Sequence, residues 1–521
     1  MYKKIPIIVF ISAILTVLPM LIPPCTPAYA EESEPECWAV IIGVGDYKSP
    51  KMEDVPGCAE DAEELSQLLS PTWGEEHIKL LLDSGATKGE IRAAVDWLAS
   101  NEDTSDTVLF YFSGHGDEEG YIASYDAYYT KTWISARELS NWLRPLESER
   151  VAIILDTCHA GQYETNLSDS GRVVLMSSRA DELSYSSFFQ GEPHGVFSYY
   201  LLEALSEFSI ADANRDYELS AEELFQYAEP KTVSETTEWH TESPGHDIQH
   251  PVLSDDYSDE LSLLVKFIFN TEPTLPSGTD ILFLDDKVYS SVPPELTWAP
   301  GSAHDLTILS LLDTGSGTRN VFTSWNDGDT SISRTISHGG VYTANYKTQY
   351  ELLIESAYGE PEGEGWYDAG STATISVTPI EEPTTRHIFT GWSGDYAGDT
   401  ATASVIMDSP KAITANWRTD YLLTIESTYG EPEGEGWYES GSTVTISVAP
   451  SEGMLIRHIF AGWSGDFSGD TPTTTLTMNS PMAVTVNWRT DYTRLYMLIG
   501  LIVLIAAING GLRMRRRRQV M

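Results

Sequence analysis

Between residues 38 and about 253 the chain alternates short apolar runs with amphipathic segments. Residues 38–44, 77–82, 107–112, 151–155 and 173–176 are β-rich runs with little polar alternation, which predicts strands buried on both faces of a sheet. The intervening segments read as helices. Thr87 with Glu90 and Ser135 with Glu138 have capping-box spacing, and residues 61–69 and 195–205 carry apolar side chains at helical intervals. Strand and helix in alternation predict the α/β class: an open, mostly parallel sheet flanked by helices and joined by right-handed crossovers.

After Asp255 the pattern changes to Thr, Ser, Gly and aromatic residues in short alternating runs, which predicts all-β modules. The segment starting at Tyr350 recurs from Tyr421, and Trp366, Trp392 and Trp417 return as Trp437, Trp463 and Trp488 at a constant offset of 71. Residues 351–420 and 421–491 are thus two β repeats, and 256–350 is read as a linker with a degenerate earlier copy, in which Trp325 and Tyr346 echo Trp392 and Trp417. Gly391-Trp392-Ser393-Gly394-Asp395 brushes against the G-x-S-x-G nucleophile pattern. Its fifth position is Asp, and it lacks a strand-turn-helix context, so a turn after an aromatic strand is the reading adopted.

The two ends carry addresses. Residues 1–30 open with Lys3 and Lys4, continue through an apolar stretch and reach Ala28-Tyr29-Ala30, the layout of a signal peptide. An uncleaved anchor is the rival reading; Pro19, Pro23 and the small-x-small site weigh against it. Residues 495–512 hold no charge and are followed by Arg513 and Arg515 to Arg518, which predicts one transmembrane helix with a basic cytoplasmic tail at 513–521. The expected topology is single-pass in the cell membrane, with the N-terminal domains outside the cytoplasm.

Charge narrows the partners. With 31 Lys+Arg against 78 Asp+Glu, and several of those bases confined to the ends, a phosphate backbone would be repelled, so nucleic-acid binding is excluded as a main role. Four cysteines in 521 residues exclude a disulfide-framed scaffold.

Two strand ends carry the candidate chemistry. Phe110-Tyr111-Phe112-Ser113-Gly114-His115-Gly116 and Ile153-Ile154-Leu155-Asp156-Thr157-Cys158-His159 each close an apolar strand, and ligands of open α/β sheets bind outside the carboxyl ends of strands. If those strands are neighbours, about 4.8 Å apart, one imidazole and one thiol can address the same carbonyl carbon. A thiol near pKa ~8.5 is mostly protonated, so a base must take its proton and later supply one to the leaving amine. His115 is that base and Cys158 the nucleophile. The N–H groups of Gly116 and Cys158 are the candidate oxyanion donors. His159 is a poor alternative, because consecutive side chains on extended backbone point apart.

With Gly57-Cys58-Ala59-Glu60-Asp61 entering the first helix and Gly195-Val196-Phe197-Ser198 opening a later one, residues 37–255 resemble the caspase-like cysteine peptidases, closest in form to the metacaspase and prokaryotic caspase-like branch. The resemblance implies that Asp61 and Asp156 line the pocket for the residue before the cut bond. Two carboxylates there would bind Arg or Lys, so substrates are expected to be proteins or peptides with a basic P1 residue. For Asp61 the structural alternative is a helix N-terminal acid, and for Asp156 a turn residue.

Residues 212–223 place oxygens of Asp212, Asn214, Asp216, Glu218 and Glu223 at calcium-loop spacing, with Tyr217 where glycine usually makes the turn. The solvated acidic loop stays open beside the Ca2+ reading, and the resemblance independently implies calcium dependence. The chemistry itself requires no cofactor. The expected protein is a membrane-anchored, outward-facing cysteine endopeptidase whose β repeats meet surface partners; the alternative is a surface adhesion or scaffold protein with a silent α/β domain.

Overall fold

The computed structural model describes residues 34–518 except 129–131, 244, 246, 276–277, 279–280, 286 and 294. The expected signal peptide lies outside the described residues. The chain divides into two units: one up to Phe267 with Glu295–His304 and Ile336–Gly340, the other taking the remainder.

In the first unit β1 (Cys37–Gly43), β2 (Ile78–Leu82), β3 (Thr107–Ser113), β4 (Val151–Asp156) and β5 (Arg172–Met176) form a parallel sheet, and β6 (Val252–Asp255) closes it antiparallel to β5. The order is β6-β5-β4-β3-β1-β2. Strands β1, β3, β4 and β5 are buried along their whole length. The expectation of two-sided burial fails for β2, which is only partly covered because it is an edge.

Side-chain alternation splits each central strand between two cores. Trp38, Val40 and Ile42 of β1 pack with α2 (Lys88–Asn101) and α3 (Ala136–Leu143). Cys37, Ala39 and Ile41 pack on the other face with α1 (Cys58–Trp73), α4 (Val196–Ser206) and α5 (Ala221–Glu242). Both expected caps form at the start: Thr87 Oγ1 and Ser135 Oγ accept from Glu90 N and Glu138 N, each at 3.2 Å. Glu138 does not return to its own cap, because its carboxylate binds Lys88 Nζ at 2.8 Å. The unit also extends past residue 255: Leu261, Leu263 and Leu264, read above as the start of a linker, lie in the second core.

In the second unit the two repeats carry matching cores. Leu352, Ile375, Trp392 and Ile413 are buried in one, and Leu423, Ile446, Trp463 and Val484 in the next. Trp392 Nε1 donates to Thr400 O at 2.9 Å and Trp463 Nε1 to Thr471 O at 2.8 Å. The boundary at 420/421 falls inside one strand, Lys411–Ser427, which pairs antiparallel with 385–394 of its own repeat and parallel with 482–486 of the next. The described residues end in a helix, Thr493–Arg518, which by length and composition could cross a membrane; its most apolar 18 residues have mean hydropathy 2.3.

Because Trp392 and Trp463 occupy equivalent cores and make the same hydrogen bond, Trp392→Ala and Trp463→Ala are expected to destabilise their repeats alike, by about 3–5 kcal/mol each. Denaturant titrations of the detergent-solubilised chain, followed by circular dichroism, measure both; a clearly unequal pair would contradict the equivalence.

Candidate active site

Strands β3 and β4 pair in parallel with Ser113 opposite Asp156, and Gly114 N donates back to Asp156 O at 3.2 Å. His115 and Cys158 each stand two residues beyond that pair. They line one cavity of about 100 Å3 together with Cys58, Asp156, Ser184, Tyr185 and Gly195. Gly116 makes the approach feasible: a Cβ there would collide with Thr157 Oγ1 and lie 2.5 Å from Cys158 O.

His115 is held at two points. Its N–H donates to Tyr47 Oη at 2.8 Å, and its ring Nε2 lies 2.7 Å from the Glu53 carbonyl oxygen. A carbonyl can only accept, so Nε2 carries the proton and the neutral ring keeps its lone pair on Nδ1. Cys158 is half-buried with Sγ 3.6 Å from Ser184 O. Burial pushes its thiol up, and the nearby Asp156 charge adds to the effect. The sulfur therefore rests as a thiol and needs a base. Among the described residues, no other residue accepts from the N–H of Gly116 or of Cys158.

Asp61 and Asp156 are both buried, yet only Asp156 reaches the cavity wall. Asp156 Oδ1 accepts from Ser184 Oγ at 2.6 Å, and Oδ2 accepts from Ser198 N at 3.1 Å and Ser198 Oγ at 2.7 Å. Asp61 faces His194, with Oδ1 2.6 Å from Nδ1, and Oδ2 accepts from Gly195 N at 2.8 Å. Gly195 sits between the carboxylates, since a Cβ on it would overlap Asp156 Oδ2 and lie 3.3 Å from Asp61 Oδ2. Burial raises Asp61 to about 7, against the pull of His194 and Gly195, while the hydrogen bond to Asp61 raises His194. Gly57, at φ 104, lets the first turn of α1 meet this loop, for a Cβ there would lie 2.8 Å from His194 Cα.

Residues 36–255 match the family model described as Caspase domain, and 350–420 and 421–491 each match the one described as Divergent InlB B-repeat domain. The chain carries a caspase-like domain. It is similar to Metacaspase-1 of Scheffersomyces stipitis, 28% identical over 147 residues, covering 24% of this chain and 35% of that protein. Metacaspase-1B of Aspergillus fumigatus is 30% identical over 145 residues, with coverage of 24% and 35%. The chain thus spans about a third of the length of the curated relatives it matches. Among solved structures, Caspase-1 of Spodoptera frugiperda is 14% identical at a TM-score of 0.34, covering 47% of this chain and 96% of that one.

Sequence reasoning missed several parts of the caspase-like site. The Glu53 carbonyl, a backbone group, leaves no side-chain signature of its role, and the bond from His115 N to the Tyr47 hydroxyl follows only from the fold. Ser198 was in view within the Gly195-Val196-Phe197-Ser198 motif, but its bonds to Asp156 follow only from the fold. His194 precedes that motif and pairs with a residue 133 positions away.

Elsewhere the candidate residues are spent on the backbone. Asp212 Oδ1 accepts from Arg215 N at 2.7 Å, and Glu223 Oε1 from Ala213 N at 2.8 Å and Asn214 N at 3.3 Å. Asn214 turns its amide donor toward Asp216 at 2.9 Å, and Glu218 N donates to Asp216 Oδ1 at 2.8 Å. Tyr217 takes the turn at φ 69. Among the described residues no three His, Cys, Asp or Glu side chains are grouped to hold a metal. Gly391, Trp392, Ser393 and Gly394 end the strand Thr385–Gly394 where a turn was expected, and Asp395 beyond them accepts from Ala412 N at 2.7 Å through Oδ2.

Asp61 binds its proton more tightly folded than unfolded, where its ordinary value is 3.8. Its contribution to stability is therefore present at acid pH and is lost as the pH rises from about 4 to about 7. His194, also raised, acts with the same sign at higher pH. Asp61→Asn should flatten the fall in melting temperature over that window relative to the parent chain. Thermal melts at acid and neutral pH check this; an unchanged difference would contradict it.

Proposed function

We propose that the chain is a membrane-tethered, outward-facing cysteine endopeptidase that cuts after Arg or Lys. The observation that carries the reading is the shared cavity of His115 and Cys158, with the unprotonated ring nitrogen of His115 left free by the Glu53 carbonyl.

In the proposed reaction His115 Nδ1 takes the Cys158 proton as Sγ adds to the scissile carbonyl carbon. The N–H groups of Gly116 and Cys158 hold the oxyanion. The imidazolium then passes its proton to the departing amine as the C–N bond breaks, and water activated by the same ring hydrolyses the thioester. Thiol, imidazole and backbone amides suffice for every step.

For specificity, Asp156 meets the incoming cation directly. Its oxygens accept three hydrogen bonds, and a carboxylate has about four acceptor sites, so one remains for a guanidinium or ammonium. Asp61 acts from behind Gly195, adding negative potential at the same place. Both flanking acids disfavour an Asp or Glu at P1. The charge-free stretch 495–512 and the five arginines after it support a single span with the caspase-like domain outside.

Incubating the full chain with fluorogenic peptides ending in Arg, Lys or Asp tests all of this. Cleavage after Arg and Lys, none after Asp, and none by Cys158→Ala are expected. Asp156→Asn should lower kcat/KM on the Arg peptide by about 10²-fold or more, the scale of the ~3 kcal/mol lost when a buried ion pair is broken. Equal turnover by Cys158→Ala, or full turnover of the Asp peptide, would overturn the reading.

A further inference from the structure

The two repeats are close copies, and the hairpin tip is one place where they part. In the first, Glu382-Pro383-Thr384-Thr385 closes the turn; 71 residues on, the second has Gly453-Met454-Leu455-Ile456. Both tips join strands paired the same way, Glu381 opposite Arg386 and Glu452 opposite Arg457. A polar turn has thus become three consecutive large apolar residues. They find no core: Met454 is 91% exposed, Leu455 38% and Ile456 37%.

What lies beside each tip explains the change. In the first repeat Leu422 N donates to Thr384 O at 2.9 Å, so the tip runs along the strand leading into the next module. In the second, the strand Arg457–Gly465 pairs with Met482–Asp491, Arg457 opposite Asp491. Continuing that register sets Ile456 level with Tyr492 and Leu455 level with Thr493, the first residue of the terminal helix. An ion pair fixes the proximity independently, since Arg494 Nη2 lies 3.4 Å from Glu452 Oε2. The charge-free stretch starts at the next residue, Leu495.

The surroundings suit a lipid boundary. Arg457 Nη1 also reaches Glu452, at 3.7 Å, and Arg457 Nη2 reaches Asp491, at 3.4 Å, so the acids flanking the tip are paired. Tyr492 and Tyr496 stand exposed with ring centres 6.1 Å apart, as aromatic residues do at a membrane interface. Burying Met, Leu and Ile side chains is favourable wherever water is displaced, and a bilayer surface beside the helix entry supplies that medium.

We propose that the hairpin tip Met454-Leu455-Ile456 inserts into the headgroup and acyl boundary of the membrane next to the terminal helix, giving the last repeat a second point of attachment. The inference rests on the reading of 495–512 as a span. Two attachment points would stop the repeat from swivelling about the single connection at Tyr492.

The test uses the full chain reconstituted in phosphatidylcholine vesicles that contain a phospholipid with a diazirine on its acyl chain. After photolysis and digestion, lipid adducts are mapped by mass spectrometry. Adducts are expected on the helix and on the peptide holding 454–456, and none at 383–385. The triple variant Met454→Pro, Leu455→Thr, Ile456→Thr copies residues that already close the equivalent hairpin, and it should lose the tip adducts while keeping those on the helix. A labelled helix with an unlabelled tip overturns the inference, as does a variant whose tip is labelled like the parent's. If the helix itself stays unlabelled, the spanning reading has failed and the inference falls with it.

Discussion

The site depends on the parallel register of β3 and β4. Both strands are buried on both faces, so neither can slip by one residue without sending every side chain to the opposite core. With Ser113 held opposite Asp156, the two chains leave the sheet level with each other, and residues 115 and 158 follow from the same starting line. The remaining adjustments are local. Tyr47 and Glu53 hold the imidazole, and the absence of a side chain at Gly116 lets the two turns touch. Packing thus positions the polar groups, which lie at the sheet's open end and contribute little to its stability.

The same dependence separates what was legible in the sequence from what was not. Strand runs, helix starts and the repeat offset are local patterns with a fixed period, so they could be read directly, and the His and Cys stood out because each followed an apolar run. Edge status is not local: 78–82 reads like its neighbours, and only the strand order reveals that no strand among the described residues pairs with its far side. Contacts spanning long separations were equally hidden. Gln249 Nε2 binds Ser177 O at 2.8 Å and Ser184 Oγ at 3.1 Å, bracing the loop that supports Asp156, yet nothing near Gln249 in the sequence announces a role. The linker starting at 256 was misjudged for a related reason: its first apolar residues complete a core built by helices far earlier in the chain.

The repeats show how near-identical sequences acquire different surfaces. Their cores and tryptophan hydrogen bonds are reproduced, and the strand Lys411–Ser427 belongs to both, so each module is partly defined by its neighbour. The last one has no following strand. At the equivalent place stands the terminal helix, whose first turn offers Arg494 in place of Leu423. The departure at 453–456 falls where the neighbour changes.

The pocket acids raise a sharper question of charge. Two buried carboxylates flanking one glycine would repel each other, and a caspase-like fold cannot relieve this by exposing them to water. His194 supplies the relief. Protonated, it offsets the negative charge of Asp61 across their hydrogen bond, which lessens the repulsion between the two acids. Without the histidine, burial would hold the proton on Asp61 to still higher pH, and on the proposed reading the second acid would then add little to selectivity. The hydroxyls of Ser184 and Ser198 complete the arrangement by fixing the orientation of the Asp156 carboxyl at the cavity that Cys158 also lines. On the proposed reading, selectivity for a positive side chain would rest on Asp156 at the cavity wall, with Asp61 and His194 setting the potential behind it.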